Sequence, residues 1–215
     1  MKAQELVDAA AGLVPAPGGR VLLGIAGAPG AGKSTLARLL VAELCDRLGP
    51  EAAAYVPMDG FHLSNIQLER LGLTNRKGSA PSFDVWGYLA LLRRLRSHPA
   101  TEPVYVPDYD RALHEPIAAR HLVTPATRLV VTEGNYLAAG DAAGPGWAQV
   151  RAALDIVWFL ATPDEVRDTR LIARQREGGR DAHAARAWVD TNDHPNGDLV
   201  NAHRAPDVRV ITVEP

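Results

Sequence analysis

Gly27-Ala28-Pro29-Gly30-Ala31-Gly32-Lys33-Ser34 follows the pattern G-x-x-x-x-G-K-S, and Thr35 comes next. Glycines let a backbone curl until successive N–H groups point inward, and such a curl receives phosphate oxygens. The lysine of this pattern reaches the β- and γ-phosphates of a nucleoside triphosphate, and the serine hydroxyl ligates Mg²⁺. Gly27, Ala28, Gly30, Ala31, Gly32, Lys33, Ser34 and Thr35 are therefore expected to hold the nucleotide, with Ser34 in the metal shell. Two carboxylates follow later, each at the end of an apolar run: Asp59 in Asp59-Gly60-Phe61-His62 and Glu133 in Glu133-Gly134-Asn135-Tyr136. Asp59 is of the type that orients a substrate hydroxyl and takes its proton, and equally of the type that caps a helix. Glu133 suits the metal shell or support of the base, and equally a structural role bonding loop amides.

Arg167, Arg170 and Arg174 recur at i, i+3 and i+7. That spacing puts them on one helix face, which fits a lid over a transferring phosphate or a solvated charged surface. Residues 108–114, Asp-Tyr-Asp-Arg-Ala-Leu-His, mix an aromatic face, carboxylates, a guanidinium and an imidazole. This mixture suits a polyhydroxylated or aromatic small molecule.

These groups need a frame. Val21–Ala26 is an apolar run before the glycine loop, and Leu36, Leu39, Leu40, Leu44 and Leu48 give a helix after it. Residues 3–14 predict a short amphipathic helix. Residues 52–58, 128–132, 154–160 and 208–213 predict strands, most of them covered on both faces as in a parallel sheet. A helix is predicted over residues 64–72 and another over residues 84–96. Thr162-Pro163-Asp164-Glu165 reads as a capping box with proline at the first helical position. Strands alternating with helices imply a three-layer α/β/α sandwich with a mostly parallel sheet, in one domain over residues 1–215. Residues 103–125 stand apart as a hairpin-like excursion, and residues 163–190 form the arginine-bearing lid region. In open parallel sheets ligands bind at the carboxyl ends of strands, where the glycine loop, Asp59 and Glu133 all fall.

A net charge of −2 lacks the basic excess of a general nucleic-acid binder. Cys45 is the single cysteine, so no internal disulfide and no cysteine metal cluster can form. No apolar run approaches the roughly 18 residues of a membrane span, and Glu5 and Asp8 interrupt any signal-like core. A cytoplasmic protein is expected, with a small-molecule acceptor as partner, no nucleic acid and no membrane; a homodimer is compatible with the sequence. A regulatory nucleotide switch is the rival class, together with an NTPase that has no acceptor. The guanine-reading N-K-x-D is missing, and Asp141-Ala142-Ala143-Gly144 reads D-x-x-G but lies in an alanine-glycine loop.

Together these stretches resemble the uridine kinase, pantothenate kinase and phosphoribulokinase superfamily, most nearly a bacterial branch labelled nucleoside/nucleotide kinases or fructose-transport kinases. The resemblance rests on residues 24–36, Pro57-Met58-Asp59-Gly60-Phe61-His62-Leu63, Arg76-Lys77-Gly78 with Phe83-Asp84, Tyr109-Asp110-Arg111, residues 131–137 and Asn192-Asp193-His194-Pro195-Asn196. It implies an ATP- and Mg²⁺-dependent kinase acting on an alcohol group of a small metabolite. It places Asp59 at the base position, Glu133 at a second acidic position after a later strand, and Arg170 and Arg174 on the lid. Asp84 matches a position that meets ribose hydroxyls in uridine kinases. Tyr109, Arg111 and His114 lie in a stretch similar to Y-D-F-x-x-H-S-R, with Arg111 for phenylalanine and Glu115-Pro116 for Ser-Arg. His62 ends a Gly-Phe-His wording nearer to pantothenate kinases than to uridine kinases. Asp59, His62, Asp84, Tyr109, Arg111 and His114 are thus the expected acceptor contacts. The residue types of Asn192–Asn196 suggest no role.

Overall fold

A computed structural model describes residues 1–97 and 101–214. Five strands form one parallel sheet. They are β1 (Val21–Ala26), β2 (Ala53–Pro57), β5 (Leu129–Gly134), β6 (Ile156–Leu160) and β7 (Arg209–Ile211), in the order β2-β5-β1-β6-β7. The strands are apolar on both faces because helices cover both. Leu23, Ile25, Tyr55 and Val131 pack with Leu6 of α1 (Ala3–Ala11) and with Leu36 and Leu40 of α2 (Lys33–Leu48). Leu22, Val56 and Phe159 face the other way, onto Leu89 and Leu92 of α4 (Val85–Arg96) and Trp147 of α5 (Trp147–Ala152). Each fully buried leucine of this kind contributes about 1.5–3 kcal/mol. The expected three-layer α/β architecture is the observed one.

Register explains why the polar groups meet. Pro57 of β2 and Ile25 of β1 both pair with Glu133 of β5, and Ala26 pairs with Gly134. The three strands therefore end level. The glycine loop leaves β1 directly beside Glu133, and Asp59 follows two residues after Pro57.

The remaining elements flank this edge. A 3-10 turn over Met58–Phe61 carries Asp59, α3 (Asn65–Arg70) follows, and two more short 3-10 turns break the expected loop of residues 74–82. The excursion is an antiparallel hairpin of β3 (Val104–Asp110) and β4 (Glu115–Val123), with an irregularity between Val106 and Asp108. It lies tightly on the Asp59 turn: a Cβ at Gly60 would stand 2.4 Å from the Pro107 carbonyl oxygen, so only glycine fits.

Several expected boundaries move. The first helix ends at Ala11, and the last strand keeps only three residues, Arg209–Ile211. The capping box does not form. Pro163 is the N-cap of α6 (Asp164–Glu177), and the Thr162 hydroxyl instead donates to the Ala31 carbonyl at 3.0 Å. Beyond α6 the chain runs through α7 (Ala182–Trp188), a π-helical turn over Val189–Asp193 and α8 (His194–Ala202). No helix among the described residues is long and apolar enough to cross a membrane.

Candidate active site

Gly27, Gly30 and Gly32 have φ of 152°, 78° and 98°, in the region that favours glycine. Side chains hold the loop's carbonyls. Lys33 Nζ donates to Ala28 O at 3.0 Å, Arg167 Nε to Pro29 O at 3.0 Å, and Arg170 Nη1 to Gly30 O at 3.3 Å and Ala31 O at 3.1 Å. A planar trans peptide points its N–H opposite to its C=O, so the Gly30 and Gly32 amides point away from Arg167 and Arg170. Amides turned this way would suit phosphate oxygens, as the sequence leads one to expect.

Lys33 is buried and also donates to Asn135 Oδ1 at 2.7 Å. Burial lowers its pKa to about 8, and the charges of Glu133 and then Asp59 hold it from falling further. Lys33 loses its proton as pH rises through about 8. The kcat/KM for ATP, which reports the free enzyme, should therefore be level below that pH and fall above it. A profile level up to pH 9.5 would show that the free enzyme keeps the proton.

Glu133 is buried, and a single oxygen, Oε1, accepts from Ser34 Oγ at 3.0 Å and Tyr55 OH at 2.8 Å. It bonds these hydroxyls where the sequence allowed loop amides. Burial raises its pKa, as does the charge of Asp59; the Lys33 ammonium and the two hydroxyls oppose the rise. Ser34 and Glu133 offer hard oxygen donors side by side next to the glycine loop, a donor set that fits Mg²⁺. Tyr55 and Asn135 are site residues the sequence reading missed. Their one local signal is a polar tip in or just after an otherwise apolar strand.

Asp59 does not cap a helix. α3 begins after Ser64, and the Asp59 carboxylate makes no capping hydrogen bond in its own turn. Its side chain is 31% exposed, and Oδ2 lies 3.8 Å from Arg111 Nη2 on the hairpin. His62 bonds the Asp59 carbonyl through Nδ1 at 2.8 Å and is wedged between Phe83 and Tyr109, with ring centroids 4.1 and 4.8 Å away. Burial lowers the His62 pKa, against the pull of Asp59. The Lys77 ammonium lies 5.1 Å from the centroid of the Tyr109 ring. Burial, with the charges of Asp59 and Glu115, pushes the Tyr109 phenol up to about 12.

Two of the expected acceptor contacts also bond within the protein. Asp84 caps α4, its Oδ1 accepting from Gly87 N at 2.9 Å, because a carboxylate one residue before a helix finds that helix's free amides first. His114 sits in the hairpin turn with φ 54°, and its carbonyl, not its imidazole, takes the Lys77 ammonium at 2.6 Å. The arginine stripe divides. Arg167 is buried, paired with Asp164 and pinned to Pro29. Arg170 grips the glycine loop. Arg174 Nη2 stands 3.6 Å from Asp193 Oδ1. The helical period places all three on one face, but their partners differ.

The sequence profile of the Phosphoribulokinase / Uridine kinase family matches residues 22–194, which span every group above. The chain belongs to this family. It is 32% identical over 196 residues to a Schizosaccharomyces pombe protein provisionally named a uridine kinase, covering 88% of this chain and 82% of that one. An uncharacterized Escherichia coli protein, YggC, is 33% identical over 194 residues, covering 88% and 77%. Among solved structures, a Silicibacter protein provisionally described as a fructose transport system kinase superposes with a TM-score of 0.85. It is 36% identical, and both chains are covered completely. This family member is a P-loop kinase, an ATP-dependent phosphotransferase.

Proposed function

We propose that this kinase moves the γ-phosphoryl of ATP to a hydroxyl of a small metabolite, and that Asp59 aligns that hydroxyl and receives its proton. The observation that carries the reading is the level ending of β1, β2 and β5, which sets the Lys33–Ser34–Glu133 cluster beside Asp59. Phosphoryl transfer asks a protein mainly to position groups and neutralise charge. In this reading the glycine-loop amides and Lys33 bind the phosphates, and Ser34 and Glu133 would hold Mg²⁺. When bound with ATP, Mg²⁺ neutralises charge on the β- and γ-oxygens. Arg170 stiffens the loop, and Arg174 reaches over the transferring group. The hairpin brings Tyr109 and Arg111 to the acceptor, within one domain. Uridine, pantothenate and sugars are the acceptor classes suggested by the relatives and the sequence pattern.

Labelled ATP and a metabolite extract test the reading: label should move to a small molecule. ATP hydrolysis with no labelled product would establish an NTPase without an acceptor. Arg111 carries a narrower prediction. Its guanidinium stands over the carboxylate that aligns the hydroxyl. A charged hydrogen bond from it to the acceptor would be worth about ten- to a hundredfold. Arg111→Ala should raise the acceptor KM by about that factor and leave the Kd for ADP unchanged. An unchanged acceptor KM would remove the hairpin tip from the site.

A further inference from the structure

Two buried oxygens lie next to the lid arginine. Asn192 and Asp193 end the π-helical turn Val189–Asp193, and they are only 1% and 5% exposed. Asn192 Nδ2 donates to the Lys77 carbonyl at 2.9 Å, which fixes the carboxamide and turns Oδ1 away from that bond. Asp193 Oδ1 faces Arg174. Asn192 Oδ1 and Asp193 Oδ2 have no hydrogen-bond partner among the described residues. Burial raises the Asp193 pKa, and Arg174 and Gln175 oppose the rise. The Gln175 side chain is thus near the carboxylate, yet Oδ2 accepts no well-aligned bond from it. Folded proteins leave few such atoms, because a buried acceptor without a donor costs stability, and π-turns concentrate at functional sites.

These two residues grip the parts that surround the acceptor. Asn192 holds the backbone of Lys77, whose ammonium covers Tyr109. Asp193 holds Arg174. The Tyr136 hydroxyl bonds the Gly78 carbonyl at 2.8 Å, one residue beyond the carbonyl that Asn192 holds. The rings of this cluster are already engaged. Tyr109 meets His62 and Lys77, and Phe83 meets His62, Tyr136 and Trp147. A flat base finds little ring surface here to stack on, whereas a molecule that brings hydroxyl hydrogens finds two oxygens able to accept them.

We propose that Asn192 and Asp193 form a second wall of the acceptor site and receive two hydroxyl hydrogens of a polyhydroxylated, sugar-like acceptor. This rests on the kinase reading above. The stretch Asn192–Asn196, whose residue types alone suggest no role, then determines specificity. Both oxygens are shielded from solvent.

Saturation-transfer NMR with ADP present tests this directly. The probes are D-fructose, D-ribose and sorbitol, beside uridine and pantothenate. The variants Asn192→Leu and Asp193→Leu keep the branched side-chain shape and remove the oxygens. The wild type should bind at least one of the three polyols. Each variant should bind that polyol about tenfold more weakly, with the Kd for ADP by calorimetry unchanged; a hydrogen bond of this kind is worth about that factor. Asp193→Asn retains an acceptor oxygen and should retain most of the binding. If the leucine variants do not fold, Asn192→Ala and Asp193→Ala, which remove the same oxygens without added bulk, make the same measurement. Undiminished polyol binding by folded variants would show that a buried water satisfies the oxygens and would overturn the proposal. So would a wild type that binds none of the three polyols. If the variants bind polyol weakly but the wild-type protein transfers no label from ATP, this wall stands and the kinase reading falls instead.

Discussion

Asp59→Asn should bind ADP as the wild type does and turn over about 10²–10⁴-fold more slowly, the range a positioned acid–base group supplies. The substitution is nearly isosteric, and the structure shows why it should not unfold the protein. His62 bonds the carbonyl of Asp59 and not its carboxylate, and the carboxylate caps no helix. The charge paired with it is Arg111 at 3.8 Å, with both side chains partly exposed. Such a pair contributes only about 0–1 kcal/mol to stability. The loss should therefore fall on kcat, because an amide can still accept a hydrogen bond from the hydroxyl but cannot take its proton. Steady-state kinetics with the acceptor found by labelling, beside calorimetry with ADP, separates the two effects. Turnover within threefold of the wild type would remove Asp59 from the reaction. A variant that lost turnover only in proportion to its unfolded fraction would make the carboxylate structural.

The sequence was most legible where chemistry is written in local spacing. The glycine loop, the two carboxylates at strand ends and the hairpin over residues 103–125 all depend on neighbours within a few positions. What a side chain does after the chain has folded was less legible. The i, i+3, i+7 spacing put Arg167, Arg170 and Arg174 on one helix face, but it could not tell which of them the glycine loop would claim. Asp84 resembles a substrate position, and its capping bond became visible only with the start of α4 at Val85. Tyr55 and Asn135 were missed for a related reason. Tyr55 meets Glu133 78 residues away, and Asn135 meets Lys33 102 residues away. Partnerships of that span are set by sheet order, which strand patterns alone do not fix. The Asn192–Asn196 stretch was silent because its bonds run to Lys77 and Arg174, on two other elements.

Lys33 combines both kinds of information, and its removal should have the largest effect of all. Lys33→Met should reduce transfer by about 10³–10⁵-fold, the scale on which a cation placed on a transferring phosphoryl group acts. The fold should survive, since methionine fills the same buried volume without a charge. Stability should in fact favour the variant, in a pH-dependent way. Folding moves the Lys33 pKa down from 10.5 to about 8. Below pH 8 the ammonium is charged in both folded and unfolded chains, so the whole cost of burying it falls on the wild type. Between about 8 and 10.5 the folded chain sheds the proton while the unfolded chain keeps it, so wild-type stability rises with pH. The stability advantage of Lys33→Met should therefore be largest near pH 7 and shrink by pH 9.5. Thermal unfolding of the nucleotide-free proteins at the two pH values measures it. A wild type that is the more stable at pH 7, or a difference that does not change with pH, would show that the bonds to Ala28 and Asn135 outweigh the burial of the charge. Retained transfer in the folded variant would displace Lys33 from the phosphate site altogether.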